Sequence, residues 1–204
     1  MKNILDFEKS ISDLQDKLTK LRESGSDKSS LIEANQQIES IKTRIDKKLE
    51  DIYKNLTPWH KLQVARHTKR PHFLDYVKVL VPDFEQLSGD RLFREDSALI
   101  GGMGTFNEKS VMIIGHEKGK STETRIKHNF GMPKPEGYRK AIRLMRLAEK
   151  FSLPLITLVD TPGAYPGVGA EQRGQSEAIA KCIEVSLSLK VPTLSVIIGE
   201  GGSG

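Results

Sequence analysis

A chain of 204 residues, 37% hydrophobic and 29% charged, is long enough to bury one core of ordinary size with an appendage beside it. No apolar run approaches the roughly 18 residues of a membrane span, and the start MKNILDFEKS lacks the apolar stretch of a secretion signal, so a cytoplasmic protein without a membrane partner is expected. The single cysteine, Cys182, excludes an internal disulfide and any multi-cysteine zinc site, and its place on the apolar side of a predicted helix reads as packing.

The net charge of +5 is unevenly placed. Residues 1–56 carry 11 basic and 11 acidic groups, whereas residues 118–150 carry 10 basic and 3 acidic groups. That stretch fits a solvated helix face, a phosphorylated cofactor, an acidic protein or nucleic acid. Its sparse aromatics, Phe130 and Tyr138, argue against a base-stacking surface.

The first quarter is written in heptads. Ile4, Phe7, Ile11, Leu14, Leu18 and Leu21 alternate spacings of three and four, and after the polar break GSDKSS the pattern returns at Leu31, Ala34, Ile38, Ile41, Ile45, Leu49, Ile52 and Leu56. Two such helices joined by a short turn predict an antiparallel helical hairpin over 1–56, with a structural or dimerising role. Thr57-Pro58-Trp59 ends the second helix or starts a new one, and a short basic helix, WHKLQVARHTKR, follows and is closed by Pro71. His60, His67 and His72 have no cysteine or carboxylate at ligand spacing, so they read as surface or interface histidines and the chain holds no metal.

From Ser97 the signal turns to sheet. SALIGGMGTF and SVMIIGHEK, separated by Asn107-Glu108-Lys109, predict a β-hairpin. YRKAIRLMRLAEKF predicts an amphipathic helix with Ile142, Leu144, Met145, Leu147, Ala148 and Phe151 on its apolar stripe. A strand at 153–160, a helix at about 172–189 and a strand at 191–198 complete a β-α-β crossover, which predicts parallel, buried strands. The resulting divisions are an arm (1–56), a basic helix and connector (57–96) and an α/β domain (97–204).

Both of those strands run into glycine-rich turns: TPGAYPGVG, which ends at Gly169, and GEGGSG, which ends at Gly204. Glycine allows positive φ and lets bare backbone amides approach a ligand, so a site is expected at the carboxyl ends of the strands. A phosphate loop is the competing reading of GHEKGKS together with LVDTPG. It fails because only three residues separate Gly115 from Gly119, where the phosphate cradle needs four, and because Gly131 and Pro133 break the segment where a long helix should follow.

Several strings resemble one family, the α subunit of bacterial and plastid acetyl-CoA carboxylase carboxyltransferase: LDFE, LTPWHKLQVARH, RPHFLDY, GDR, NFGMPKPEGYRKAIRLMRLAEKF, VDTPGAYPGVGAEQRGQSEAIA and KVPTLSVIIGEGGSG. The resemblance covers the chain from its first residues to its last. It implies an α/β, crotonase-like (ClpP/crotonase) ββα superhelix preceded by the helical hairpin, with the 97–204 domain incomplete at its carboxyl end. It implies transfer of a carboxyl group from carboxybiotin on the biotin carboxyl carrier protein to acetyl-CoA, giving malonyl-CoA, the first committed step of fatty-acid biosynthesis. The implied partners are a carboxyltransferase β subunit in an α2β2 heterotetramer, the carrier protein, and a biotin carboxylase that consumes ATP separately. The alternatives are a carboxyltransferase for another acyl-CoA, such as propionyl-CoA, and a nucleic-acid-binding role for the basic region.

Carboxyl transfer needs aimed N–H donors where charge develops on oxygen, and no protein nucleophile. The resemblance puts such amides in the glycine pair after GEGGS, so Gly204 is the first catalytic candidate, its partner following past the chain end. Gly163, Ala164, Tyr165, Gly167, Gly201 and Gly202 are the candidate substrate-binding wall. Asp160 reads as a structural cap on the Thr161–Gly163 turn, the departing biotin ureido group being the better base. Glu171 and Arg173 order the next helix start or reach across a subunit interface.

Overall fold

The computed structural model describes residues 5–23 and 31–202, in two compact units, Met1–His67 and Thr68–Gly204. The polar break at 25–30, Ile4 and Gly204 lie outside the described residues. The boundary between the units falls within the expected 57–96 connector.

In the first unit, helices α1 (Lys9–Glu23) and α2 (Leu31–Lys54) carry the heptad runs. Ile11 is buried, and Phe7, Leu14, Leu18, Leu21, Ile38, Ile41, Ile45, Leu49 and Ile52 are half-buried among mostly exposed neighbours. Phe7, just before α1, meets Tyr53 near the end of α2 edge-on at 6.1 Å, and the Tyr53 hydroxyl donates to Glu8 Oε1 at 2.7 Å. Thr57 caps α3 (Pro58–Ala65), its hydroxyl accepting from His60 N at 3.2 Å with Pro58 in the first turn. His60 stacks on Phe7 at 4.6 Å.

The second unit is a five-stranded mixed sheet in sequential order. Helix α4 (Phe73–Leu80) precedes β1 (Glu85–Gln86), β2 (Leu99–Phe106) and β3 (Lys109–His116), which pair antiparallel. The β2–β3 turn has only two residues, Asn107 and Glu108, at φ 47° and 63°. Lys109 is therefore in the strand, opposite Phe106, because a two-residue turn with both φ positive matches the twist of the paired strands. The short α5 (Thr122–Lys127), capped by Ser121, leads to α6 (Pro135–Lys150), which starts three residues before the expected position because proline suits a first turn. Strand β4 (Leu155–Thr161) pairs parallel with β3, and β5 (Thr193–Gly201) pairs parallel with β4. Between them α8 (Gln175–Ser188) is the predicted helix, and a short α7 (Val168–Gln172) precedes it, separated where Gly174 takes φ 79°.

Strand alternation divides the core between the two sheet faces. Met112 and Ile114 join Leu99, Leu155 and the α6 residues Ala141, Ile142, Leu144, Met145 and Ala148, with Val185 and Cys182 of α8 against them. Val111 and Ile113 join Ile100, Leu158, Ile198 and the α4 residues Phe73 and Val77 on the other face. Backbone approaches are close: a Cβ on Gly101 would lie 2.5 Å from Leu144, and one on Gly115 would lie 2.2 Å from the Phe73 ring.

Two sequence expectations need correction. Phe151 is 57% exposed, because α6 ends at Lys150 and the chain turns away through Ser152 at φ 54°. Strand β5 is parallel but not buried: Leu194, Val196 and Ile197 are exposed and only Ile198 is enclosed, since β5 is the edge of the described sheet. Among the described residues no helix is long and apolar enough to cross a membrane.

Leu144 is fully enclosed at the α6–sheet contact. Leu144→Ala is expected to lower unfolding free energy by about 2–5 kcal/mol in a urea titration; a loss under about 1 kcal/mol would place the core elsewhere.

Candidate functional site

The carboxyl ends of β3, β4 and β5 bring the two glycine turns together. Strand β4 exits through Thr161-Pro162-Gly163, and β5 exits through Gly201-Gly202. The Gly202 amide donates to Thr161 O at 2.8 Å, and a Cβ on Gly202 would lie 2.1 Å from Pro162 O. Only glycine permits this approach of backbone to backbone. Within the first turn, the Thr161 hydroxyl donates to Gly131 O at 2.6 Å and accepts from the Gly163 amide at 3.0 Å. Thr161 rather than Asp160 thus ties the turn, which corrects the expected cap.

Asp160 instead faces inward, 1% exposed, and joins four segments. Lys118 Nζ, from the loop after β3, lies 2.7 Å from Asp160 Oδ1 and 2.7 Å from Glu200 Oε1. The Glu200 amide donates to Asp160 Oδ1 at 3.1 Å, and His72 Nδ1, at the start of α4, lies 3.4 Å from Oδ2. His72 is 6% exposed, so it is no surface histidine: its ring is drawn inward beside the buried carboxylate. Burial alone would raise the Asp160 carboxyl. Hydrogen bonds from His72, Lys118 and the Glu200 amide, with the Lys118 charge, outweigh burial and hold it at about 2. His116, the last residue of β3, behaves oppositely. Burial pushes its imidazole down to about 4, against the attraction of Asp160 and with the help of the Lys118 charge, and its Nδ1 has no partner.

A second ring of contacts braces the first turn. Glu136, fully buried at the start of α6, bonds Arg173 Nε and lies 3.5 Å from Arg139 Nη2. The Tyr165 amide donates to Pro133 O at 2.9 Å, Gln175 Nε2 donates to Pro133 O and Tyr165 O, and Lys134 sits over the Tyr165 ring at 5.3 Å. A Cβ on Gly167 would lie 2.2 Å from that ring. The amides of Gly163, Tyr165 and Gly202 are therefore engaged inside the fold. Gly201 is exposed, a Cβ on it would meet only the Ile197 side chain, at 3.6 Å, and Ala164 is half-buried beside Tyr165. Glu171 is exposed, while Arg173 reaches back to α6.

Sequence reading missed Lys118, His72, His116 and Glu136. The GHEKGK segment, set aside as a failed phosphate loop, supplies Lys118 and also Glu117, whose carboxylate accepts from Leu74 N at 3.0 Å and Gly119 N at 2.8 Å. The basic run 118–150 is divided: Lys120, Lys127, Arg146 and Lys150 are exposed, while Lys118, Arg139, Lys140 and Arg143 are paired within the fold. Lys140, 1% exposed, bonds Glu95 and Asp96 O; Arg139 pairs with Asp90; Arg143 donates to Leu87 O, Ser88 O and Gly89 O. Burial pushes the Cys182 thiol up to about 11, the setting of a packing group. Among the described residues no cluster of His, Cys, Asp or Glu is arranged to hold a metal.

Comparison with known proteins bears on this geometry. The acetyl co-enzyme A carboxylase carboxyltransferase-like family profile matches residues 4–204. The chain is 57% identical over 204 residues to the acetyl-coenzyme A carboxylase carboxyl transferase subunit alpha of Paramagnetospirillum magneticum, covering 99% of this chain and 63% of that protein. It is 55% identical to the subunit of the same name from Agrobacterium fabrum, covering 100% and 64%. The chain thus spans less than two thirds of the length of these relatives. Among solved structures, transcarboxylase 12S superposes with a TM-score of 0.52 at 22% identity, over 65% of this chain and 24% of that one. The β subunit of P. aeruginosa geranyl-CoA carboxylase gives 0.52 at 22%, over 66% and 23%. At that identity the likeness speaks to the fold.

His116 yields a pH signature. Its folded-state pKa lies below the ordinary 6.5, so the unfolded chain takes up the proton first; stability is full above about pH 6.5 and falls as pH drops toward 4. His116→Gln is expected to remove about 3 kcal/mol of that acid-side loss. Parallel pH–stability curves for the two proteins in urea would refute it.

Proposed function

The chain belongs to the acetyl co-enzyme A carboxylase carboxyltransferase-like family, and from that premise we propose that it acts as the α-subunit component of the carboxyltransferase that carboxylates acetyl-CoA to malonyl-CoA. Carboxybiotin, carried on the biotin carboxyl carrier protein, would supply the carboxyl group. A separate biotin carboxylase would use the ATP, and a β subunit would complete an α2β2 assembly in the cytoplasm. In this reading the sheet is part of a crotonase-like ββα superhelix, 97–204 is carboxyltransferase domain, 57–96 a connector, and 1–56 an antiparallel helical hairpin arm.

The observation that carries the reading is the meeting of the two glycine turns through Gly202 N and Thr161 O at the carboxyl ends of parallel strands. The chemistry fits the donors available. Carboxyl transfer builds negative charge on oxygen, and backbone amides held by a rigid turn stabilise that charge without a protein nucleophile; removing one such donor costs about 3 kcal/mol in other enzymes. Gly204, two residues past the engaged Gly202, is the proposed donor. Gly163, Ala164, Tyr165 and Gly167 form the proposed wall, with Tyr165 packed over Gly167, and Gly201 and Gly202 bring the second turn against it. Asp160, held ionised at about 2 and enclosed, serves the framework and not proton abstraction. The inward pairing of Lys118, Arg139, Lys140 and Arg143 favours this reading over nucleic-acid binding by 118–150.

The test is malonyl-CoA formation from acetyl-CoA and carboxybiotin by the full-length chain with its β partner. Activity is expected to require both chains and to fall on the order of 100-fold in Gly204→Val. Full activity in the valine variant would remove Gly204 from the mechanism, and propionyl-CoA turned over in preference to acetyl-CoA would reassign the acceptor.

A further inference from the structure

We propose that Lys118 is a positioning residue for the second glycine turn: clamped between Asp160 and Glu200, its ammonium fixes the exit of β5 from which that turn departs. The inference rests on the carboxyltransferase reading for its catalytic consequence, but its geometry stands apart from it.

Lys118 belongs to neither glycine turn. It reaches them from the loop after β3, and its side chain passes where Gly131, at φ +75°, has no Cβ: one placed there would lie 2.7 Å from Lys118 Cγ. Its Nζ lies 2.7 Å from each of two carboxylates, Asp160 on β4 and Glu200 on β5. The three side chains are 15%, 2% and 12% exposed, so little solvent screens them. Asp160 also holds β5 by its main chain, accepting from the Glu200 amide at 3.1 Å, and it fills the space a side chain at 199 would need, 2.2 Å from a Cβ on Gly199. Two residues later the Gly202 amide is fixed to Thr161 O. The turn is therefore pinned on both sides of Gly201, and on one side the pin is ionic.

A buried cluster of one cation and two anions is a poor source of stability, because desolvation cancels most of the attraction. Its geometric consequence is larger. With the ammonium removed, the buried Asp160 and half-buried Glu200 carboxylates repel at short range, and the backbone of Glu200 leads directly into Gly201 and Gly202. Lys118 thus sets the position of backbone amides that it never touches.

The experiment uses the complex of the full-length chain with its β partner and compares wild type, Lys118→Met, Lys118→Arg and Glu200→Gln. It measures kcat and KM for acetyl-CoA in carboxyl transfer, the melting temperature, and amide hydrogen exchange across 199–202. Lys118→Met is expected to lower kcat on the order of 100-fold with KM changed less than about threefold, and to speed exchange across 199–202. Lys118→Arg, which keeps the charge, is expected to recover to within about tenfold of wild type, and Glu200→Gln, which keeps a hydrogen-bond acceptor, to lose about tenfold. A folded Lys118→Met complex with unchanged exchange overturns the proposal, as does an arginine variant no better than methionine. If Lys118→Met does not fold, Glu200→Gln decides, and wild-type kcat and exchange there overturn it. A wild-type complex without carboxyl transfer would sink the carboxyltransferase reading instead, and the exchange rates alone would then decide the positioning claim.

Discussion

A carboxylate placed out of reach of water must be answered by the protein around it, and Asp160 is that carboxylate. It sits 1% exposed near the end of β4, and its answers come from the start of α4, the loop after β3 and the exit of β5. An unpaired buried charge costs several kcal/mol, so these segments cannot drift apart independently. The carboxyl ends of three strands and the beginning of a helix are thereby gathered in one place. The glycine turns inherit their relative placement from that gathering.

The sheet below supplies the rigidity this arrangement needs. Strand β3 contributes alternately to both faces, Met112 and Ile114 toward α6, Val111 and Ile113 toward α4. Glycines at 101 and 115 let Leu144 and Phe73 press against backbone, which fixes the helices close to the strands. Arg173, Glu136 and Arg139 then link the segment after the first turn to the first turn of α6. Rigid secondary elements and braced loops are what a site built from backbone donors requires, since amides cannot adjust their aim by changing rotamer.

Features with a local period were legible from the chain alone. The described heptad residues, Phe7 to Leu21 and Ile38 to Ile52, lie on the more buried side, Ile142, Leu144, Met145 and Ala148 of the α6 stripe are enclosed, and the two strands flanking Asn107-Glu108 pair as read. Each follows from a repeat of 3.5, 3.6 or 2 residues that needs only nearby sequence. Local signals failed where a neighbour distant in sequence decided the outcome. His72 looked like one of three surface histidines, yet Asp160, 88 positions away, draws it inside. Lys140 looked like part of a solvated basic run, yet Glu95 and Asp96 take it into the core. Phe151 fitted the α6 stripe, but the helix stops one residue short of it.

The sequence by itself determined the heptad helices, the hairpin strands, α6 and the β-α-β crossover, though not α4, β1 or α5, together with the two glycine turns after the crossover strands and the family, because propensity, periodicity and long identical strings are properties of contiguous residues. Only the tertiary structure decided that those turns touch through Gly202 and Thr161, that Thr161 rather than Asp160 ties the first of them, and that Lys118 bridges Asp160 to Glu200. The physical reason is range. Backbone preference acts over a few residues, whereas burial of a charge selects its partners by distance in space, and these partners lie 40 to 88 positions apart in the chain.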